Sequence, residues 1–480
     1  MRATPAFVAV LLVVAAVGPG VALTAPTAAV SATAATGTPT DAPGATVPSV
    51  ENAVADGDTS PVADTGNGSG VAASRPITTF DNQTTRVLIL PPDEIERNGT
   101  ADSVSDASTA LQFRDRRLDA RLETITLNRS IETAESQLDR EEIIRTELSR
   151  AETRTSALRQ QERTLFRSHN NGTITSRELL VGLARIDARA EQVIHRIDAL
   201  EIAADDIDQF SIGSDASAAK EDLRAIQGPI RDRVGRTLRA EADATTVYIE
   251  TTDTGVVVST IDGGTYYRTA YLPSVRNPDA QDGGLVVDDI RPRMQELYPR
   301  EADIGRIEAT HPGTGDTLRG TIVRLNQSEE SDGEPIFQVT AYFDRGSKQM
   351  YKEEVVRTLR TIRNPQQVTS TREGLQLQVN RTYPGGPMLV SLRDTQTDEV
   401  VDGDVTINGF NVGRTGEDGR LWVLSRRGTF TVTATYDPEG PRQPTTFIRV
   451  TPLEETANGT ESVETISART TDPFHRPSRV

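Results

Sequence analysis

Four histidines, at 169, 195, 311 and 475, are the only imidazoles the chain offers, and it has no cysteine at all. Without cysteine there are no disulfides, no thiolate nucleophile, no Cys-ligated zinc and no iron–sulfur cluster. The histidines are far apart and lack the His-x-x-x-His spacing that sets two imidazoles on one helix face. His169 lies in FRSHNNGTITSRELL (166–180), where no acid, base or metal ligand stands near it in sequence, so the stretch reads as a helix-to-helix turn. His195 falls beside Val193 on the solvent side of a helical seam. A Gly-x-Ser-x-Gly elbow and a phosphate loop ending in Gly-Lys-Ser/Thr are both absent. The acidic pairs Glu141 and Glu142, Asp288 and Asp289, and Glu353 and Glu354 read as solvated surface in so acidic a chain. Asp402, Gly403 and Asp404, with Glu417, Asp418 and Gly419, read as hairpin turns rather than a Ca²⁺ loop, which needs more oxygen ligands at fixed spacing. Tyr266, Tyr267 and Tyr271 alternate as strand residues do, which suits core and sheet packing. No catalytic, metal or cofactor-binding residue, and no cofactor, is expected.

The remaining chemistry is covalent decoration. Asn-x-Ser/Thr sequons begin at Asn67, Asn82, Asn98, Asn128, Asn171, Asn326, Asn380 and Asn458. Most fall in expected loops within reach of a transferase, and Asn128 falls in helical pattern.

Decoration of that kind suits the address. Arg2 precedes an apolar run from Ala6 to Val17, Gly18-Pro19-Gly20 breaks it, and an Ala-x-Ala site follows at Ala32–Ala34. Residues 1–34 therefore read as a cleaved export signal or an uncleaved anchor. An extracytoplasmic location follows, with membrane contact only through the N-terminal segment if it stays on. The formal net charge is −18, and Lys stands only at 220, 348 and 352 among 52 basic side chains. Such surplus charge repels itself in dilute buffer, whereas molar salt shortens the Debye length to about 3 Å, which points to a halophile. The same balance argues against nucleic acid.

The elements divide the chain as follows. Residues 35–78 are rich in Thr, Ala, Pro, Ser and Gly and read as a disordered stalk. Residues 84–210 read as an antiparallel, coiled-coil-like helical bundle opened by a short strand at TTRVLILP (84–91). Leu111, Leu118, Leu122 and Ile125 mark the first helix; Ile144, Leu148, Ala151, Leu158 and Leu165 the second; Leu179, Leu183, Ile186, Ala190, Val193, Ile197 and Leu200 the third. Ser136 with Asp139, and Thr175 with Glu178, are capping pairs for the second and third. Residues 211–365 read as an α+β module, with a charged helix near 216–241, period-two strands in 247–272, a helix near 285–298 and strands near 318–325, 336–344 and 350–356. Residues 366–453 read as a β-sandwich with Trp422 in its core, and 454–480 as a loose tail.

With VLILPPDEIER (87–97), GPIRDRV (228–234), VYIETTDTGVVVSTIDGGTYYR (247–268), FDRGSKQMYKEEV (343–355) and VNRTYPGGPMLVSLRDTQT (379–397) laid out, the chain resembles a family of exported haloarchaeal proteins of unknown function. FQVTAYFDRGSKQMYKEEV resembles the closing hairpin of PepSY-type modules, which implies a link to protease inhibition. RDTQTDEVVDGDVTINGFNVGRTGEDGRLWVL resembles carboxypeptidase-regulatory-like surface sandwiches. The expected function is a non-enzymatic structural or interaction protein of the cell envelope, with an envelope or surface-layer protein as partner. The alternatives are regulation of an extracytoplasmic protease through the PepSY-like module, and a hydrolase with an unrecognised carboxylate site. Neither the partner's identity nor the oligomeric state is legible.

Overall fold

Local signals start the helices. The Asp106 carboxylate accepts the Thr109 amide at 2.8 Å and opens α1 (Ala107–Glu132). The two anticipated capping boxes form: Ser136 with Asp139 at α2 (Gln137–Asn170), and Thr175 with Glu178 at α3 (Ser176–Asp205). Each satisfies two amide donors that the first helical turn leaves without partners. The single helix expected over 216–241 is instead two, α4 (Gly213–Ala225) and α5 (Pro229–Leu238). Pro229 cannot continue a helix from before it, and the Gly228 amide donates to Asp187 Oδ1 at 2.9 Å instead of to a helical carbonyl.

This computed structural model describes residues 86–277, 287–310, 320–328, 335–362, 366–437 and 443–453. The leader (1–34), stalk (35–78) and tail (454–480) anticipated from sequence lie outside these residues. α2 and α3 run antiparallel: Gln161 meets Arg189, and Glu147 meets Arg196, so the pairing advances on one helix as it retreats on the other.

Eight strands form one antiparallel sheet: β1 (Arg97–Ser103), β2 (Thr245–Thr251), β3 (Val256–Asp262), β4 (Thr265–Tyr271), β5 (Arg306–Thr310), β6 (Gly320–Ser328), β7 (Pro335–Asp344) and β8 (Met350–Thr358), in the order β1-β2-β3-β4-β8-β7-β6-β5. Alternation assigns the faces. Val247, Ile249 and Ile322 pack with the helices α1 to α5 in one core, so the segments read separately as 84–210 and 211–365 are packed on each other. Their neighbours Tyr248 and Val323 face the other way. There α6 (Val287–Leu297) and α7 (Pro299–Ile304) cover β6 and β7 with Ile290, Met294, Leu297 and Tyr298.

Of the strand expected at 84–91, the described residues 86–91 form none. Val87 and Leu88 donate their amides at 3.0 and 3.2 Å to the Glu353 carboxylate rather than to a neighbouring strand, and Pro91-Pro92 ends the run. The first strand among the described residues is β1, which begins six residues after Pro91 and pairs along the edge with β2.

The C-terminal part is a β-sandwich of two four-stranded antiparallel sheets. One holds β9 (Gln367–Arg372), β10 (Leu375–Asn380), β11 (Pro387–Asp394) and β14 (Arg420–Leu424); the other holds β12 (Gly403–Ile407), β13 (Phe410–Arg414), β15 (Phe430–Tyr436) and β16 (Thr445–Val450). Period-two residues Leu375, Leu377, Val379, Val405, Ile407 and Val432 fill the space between them. Trp422 is not in that core. It is half-buried and packs beside Tyr248, Tyr266 and Leu424, where the sandwich meets the second face of the eight-stranded sheet. The YPGGP turn (383–387) docks there too: the Gly385 carbonyl accepts Ser259 Oγ at 2.6 Å and the Tyr266 hydroxyl at 3.0 Å.

Candidate functional site

His169 sits at the end of α2, fully buried, where it was expected in an open turn. Its Nδ1 lies 2.8 Å from Thr251 Oγ1 on β2 and its Nε2 3.1 Å from Ser176 Oγ on α3, while Arg97 on β1 donates to its carbonyl at 2.7 Å. Burial, with the Arg97 charge adding to it, pushes the imidazole down to about 4, so it is neutral. His169 thus ties the helical hairpin to the sheet through the Thr251 hydroxyl and α2 to α3 through that of Ser176. The turn read across this stretch is narrower than expected, since α2 runs to Asn170 and α3 starts at Ser176; within it exposed Asn171 accepts the Thr173 amide at 3.0 Å. His195 is exposed on α3 and lies 3.9 Å from Glu191, as anticipated; His311 and His475 are outside the described residues.

The acidic pairs divide. Glu141 and Glu142 lie on the outer part of α2. Glu353, expected in solvent, is fully buried on the second face of the sheet. It accepts from Arg268 at 2.5 Å and from the Tyr298 hydroxyl at 2.7 Å besides the two amides of Val87 and Leu88. Four donors around one carboxylate replace its water shell, which is why an acid can stand there. Glu354 pairs with the buried Lys352 at 2.8 Å.

A second buried charged group lies on the helical face. Glu162 on α2 meets Arg231 on α5 at 2.6 Å, with both side chains nearly inaccessible. Lys352 donates to the carbonyls of Arg224 and Gln227 at 2.8 and 2.7 Å, which holds the α4–α5 break. Arg276 pairs with Asp222 at 2.9 Å and lies over the Tyr351 ring. Desolvation raises the Glu162 carboxyl against the pull of Arg231, and raises Asp187 to about 7 although the Gly228 amide opposes it. Each of these acids has a cationic or amide donor from another element. The group therefore acts as a set of struts between helices and sheet.

The calcium alternative meets the same pattern. Asp402 and Asp404 face Arg414 at 3.1 and 3.2 Å, Asp402 also accepts the Gly416 amide at 2.8 Å, and Asp418 accepts the Arg420 amide at 3.0 Å. Among the described residues no group of three or more His, Asp or Glu is placed to hold a metal ion.

Asn98, Asn326 and Asn380 lie in strands rather than in the expected loops, while Asn128 lies in a helix as its pattern suggested. Asn98 is exposed on the edge strand β1 and Asn128 exposed on α1. Asn326 is half-buried in β6 between β5 and β7, and Asn380 half-buried at the end of β10 beside β9. Asn326 and Asn380 each follow the last apolar residue of their strand, Leu325 and Val379, so in sequence they look like the start of a loop. Of the described sequons, Asn171 alone combines a turn with exposure. Asn67, Asn82 and Asn458 lie outside the described residues.

The largest departure is on α1. Leu111, Leu118, Leu122 and Ile125, expected to be its core seam, are 60, 50, 62 and 64% exposed. The helix is held by Thr109, Phe113, Leu127 and Ile131 instead. Behind it a groove of about 410 Å³ runs between α1, α2 and α3, with Leu158 and Val193 in its walls and Arg116, Arg154, Arg189 and Arg196 around it. Glu123 answers Arg154 and Arg196 at 3.0 and 2.6 Å, and Gln161 answers Arg189 at 3.0 Å. Periodicity reveals that the stripe exists; no signal in the sequence says which stripe faces in.

A mixed α and β body carrying an eight-stranded antiparallel sheet, with a β-sandwich behind it, defines the class. Residues 1–243 match the domain of unknown function DUF7096, and the chain belongs to that family. Residues 247–363 match a second family of unknown function, DUF7094, and residues 366–440 match the archaeal fibronectin-III type-like domain, in agreement with the sandwich. No curated protein and no solved structure matches the chain.

Proposed function

We propose that this is an exported, N-glycosylated envelope protein of a halophilic archaeon that works by docking to other macromolecules rather than by turnover. The observation that carries the reading is the outward stripe of α1: four large apolar side chains in a row, each at least half exposed, on a helix already anchored by its opposite face. The buried acids support it indirectly, because their donors come from the scaffold itself. The leader-like start, the acid surplus and the exposed sequon at Asn171 support the address. No helix among the described residues is long and apolar enough to cross a membrane.

The PepSY-like reading gains less. The β7–β8 hairpin is interior to the sheet, with β6 on one side and β4 on the other, so neither edge is open to receive a protease strand. The docking reading is tested by fractionating cells that express the wild type or Leu118→Arg with Leu122→Arg. The expected result is that wild-type protein sediments with the envelope and the variant is released, with both reaching the cell exterior and losing mass on deglycosylation. Unchanged retention of the variant would remove the docking role of the stripe.

A further inference from the structure

α1 has two opposite apolar faces. At about 100° per residue, Thr109, Phe113, Leu127 and Ile131 gather on the side that is buried, and Leu111, Leu118, Leu122 and Ile125 gather diametrically across from it. One apolar face suffices to hold a helix on its own protein. The other is a docking strip of these four residues, with the exposed Arg129 in line with Leu111 at its C-terminal end, and its flanks differ in charge. On the same wheel Arg114, Arg117 and Arg121 line one flank of the strip, and Asp115 and Asp119 line the other. All five are exposed, and none makes an ion pair within 4 Å among the described residues, although, beside the Arg239 hydrogen bond, the Arg117 charge helps hold the Glu241 carboxyl below its ordinary value.

A row of leucines with a basic flank and an acidic flank is complementary to itself under one symmetry. A two-fold axis parallel to the helix lays the acidic flank of each copy on the basic flank of the other. An antiparallel pairing sets Asp against Asp and Arg against Arg, which is repulsive on both sides. The packed face points away from the strip, so two bodies joined this way stand on opposite sides of the axis. We infer that the occupant of the strip is a second copy of this chain, bound side by side and parallel through α1. Leu111, Leu118 and Ile125 then each meet their own counterpart, and Asp115 and Asp119 of each copy meet Arg114, Arg117 and Arg121 of the other. This rests on the docking reading of α1 and adds the identity of what docks. The apolar row supplies the attraction that survives in brine, while the charged flanks choose the orientation, more strongly in dilute buffer than in molar salt.

The absence of cysteine makes the arrangement directly readable, since one introduced thiol is the only thiol. Leu111→Cys, Leu118→Cys and Ile125→Cys are prepared separately in the full-length chain and oxidised mildly. A disulfide needs Cα atoms within about 7 Å. Parallel pairing gives disulfide-linked homodimers from all three variants. Antiparallel pairing about Leu118 gives a homodimer from Leu118→Cys alone, because like positions at 111 or 125 would stand about 21 Å apart along the helix, at 1.5 Å per residue. Sedimentation equilibrium of the wild type should show a concentration-dependent dimer, and Leu118→Arg with Leu122→Arg should be monomeric with an unchanged circular dichroism spectrum.

Cross-linking only between Leu111→Cys and Ile125→Cys chains in a mixture would overturn the parallel arrangement. A wild type that is monomeric at every concentration, together with loss of envelope retention in the double-arginine variant, would overturn self-association and leave the docking reading standing with a different protein in the strip. If the double-arginine variant changes neither mass nor retention, both fall.

Discussion

His169 and Asp187 are buried titratable groups whose pH effects have opposite sign. The imidazole is depressed to about 4 in the folded chain against 6.5 when free, so the unfolded state takes up the proton first. Its contribution to stability is present above 6.5 and is lost as the pH falls towards 4, by at most about 3 kcal/mol. His169→Gln should lower stability at neutral pH by about 1–2 kcal/mol through its weakened bonds to Thr251 and Ser176, yet lose less than the wild type between pH 7.5 and 5 in urea titrations. Asp187 has its folded value raised to about 7 from 3.8. Its contribution is present below 3.8 and is lost as the pH rises through 7. Asp187→Asn keeps an oxygen for the Gly228 amide and removes the cost of ionisation. It should be more stable than the wild type at pH 8 and indistinguishable at pH 4, which the same titrations would show. A variant less stable than wild type at pH 8 would mean that Asp187 is needed as an anion by Arg231 and Lys352.

At the scale of elements, the joint between sandwich and sheet depends on one backbone position. Gly385 has φ +73°, and a Cβ there would lie 2.5 Å from the Tyr248 ring, on the strand that begins the second face of the sheet. Around it Tyr248 donates to Glu250 at 2.5 Å and Arg427 reaches Glu250 at 2.7 Å, while Arg426 bonds Thr100. Gly385→Ala combines a left-handed backbone with a clash, so it should cost about 1–3 kcal/mol. The loss should fall on the joint. Calorimetry is expected to show one transition for the wild type and two for the variant, with the sandwich melting separately; a single transition shifted as a whole would mean the joint survives. The Pro and Gly residues of YPGGP mark a turn locally, but nothing local marks its contact with Tyr248, Ser259 and Tyr266 more than a hundred residues earlier.

For the molecule as a whole, the charge of −18 is the controlling quantity. Buried pairs such as Glu162 with Arg231 are shielded from ions, whereas the exposed acid surplus is not. Raising salt from about 0.1 M to about 1 M shortens the Debye length from roughly 10 Å to roughly 3 Å and removes most of the mutual repulsion, so the melting temperature should climb steeply over that range. A melt that is flat in salt would contradict the halophile reading. The hairpin of α2 and α3, the two capping boxes and the sandwich region over 366–453 were legible in the sequence, because each rests on residues within one or two turns or on alternation. β9 and β13 carry the faintest alternation there, because Gln367–Arg372 and Phe410–Arg414 have no fully buried side chain.

The sequence by itself determined the local grammar: where helices begin, which stretches alternate, that thiol chemistry is excluded and that the surface is strongly acidic. Those follow from backbone hydrogen-bonding needs and from composition, which do not depend on distant partners. Only the tertiary structure decided which face of each element is covered. It turned Leu111, Leu118, Leu122 and Ile125 outward, buried Glu353 and His169, and placed Trp422 at a joint rather than in a core. The physical reason is that periodicity specifies a stripe but is symmetric with respect to inside and outside. What removes a side chain from water is a neighbour far away in the chain, and no local pattern names that neighbour.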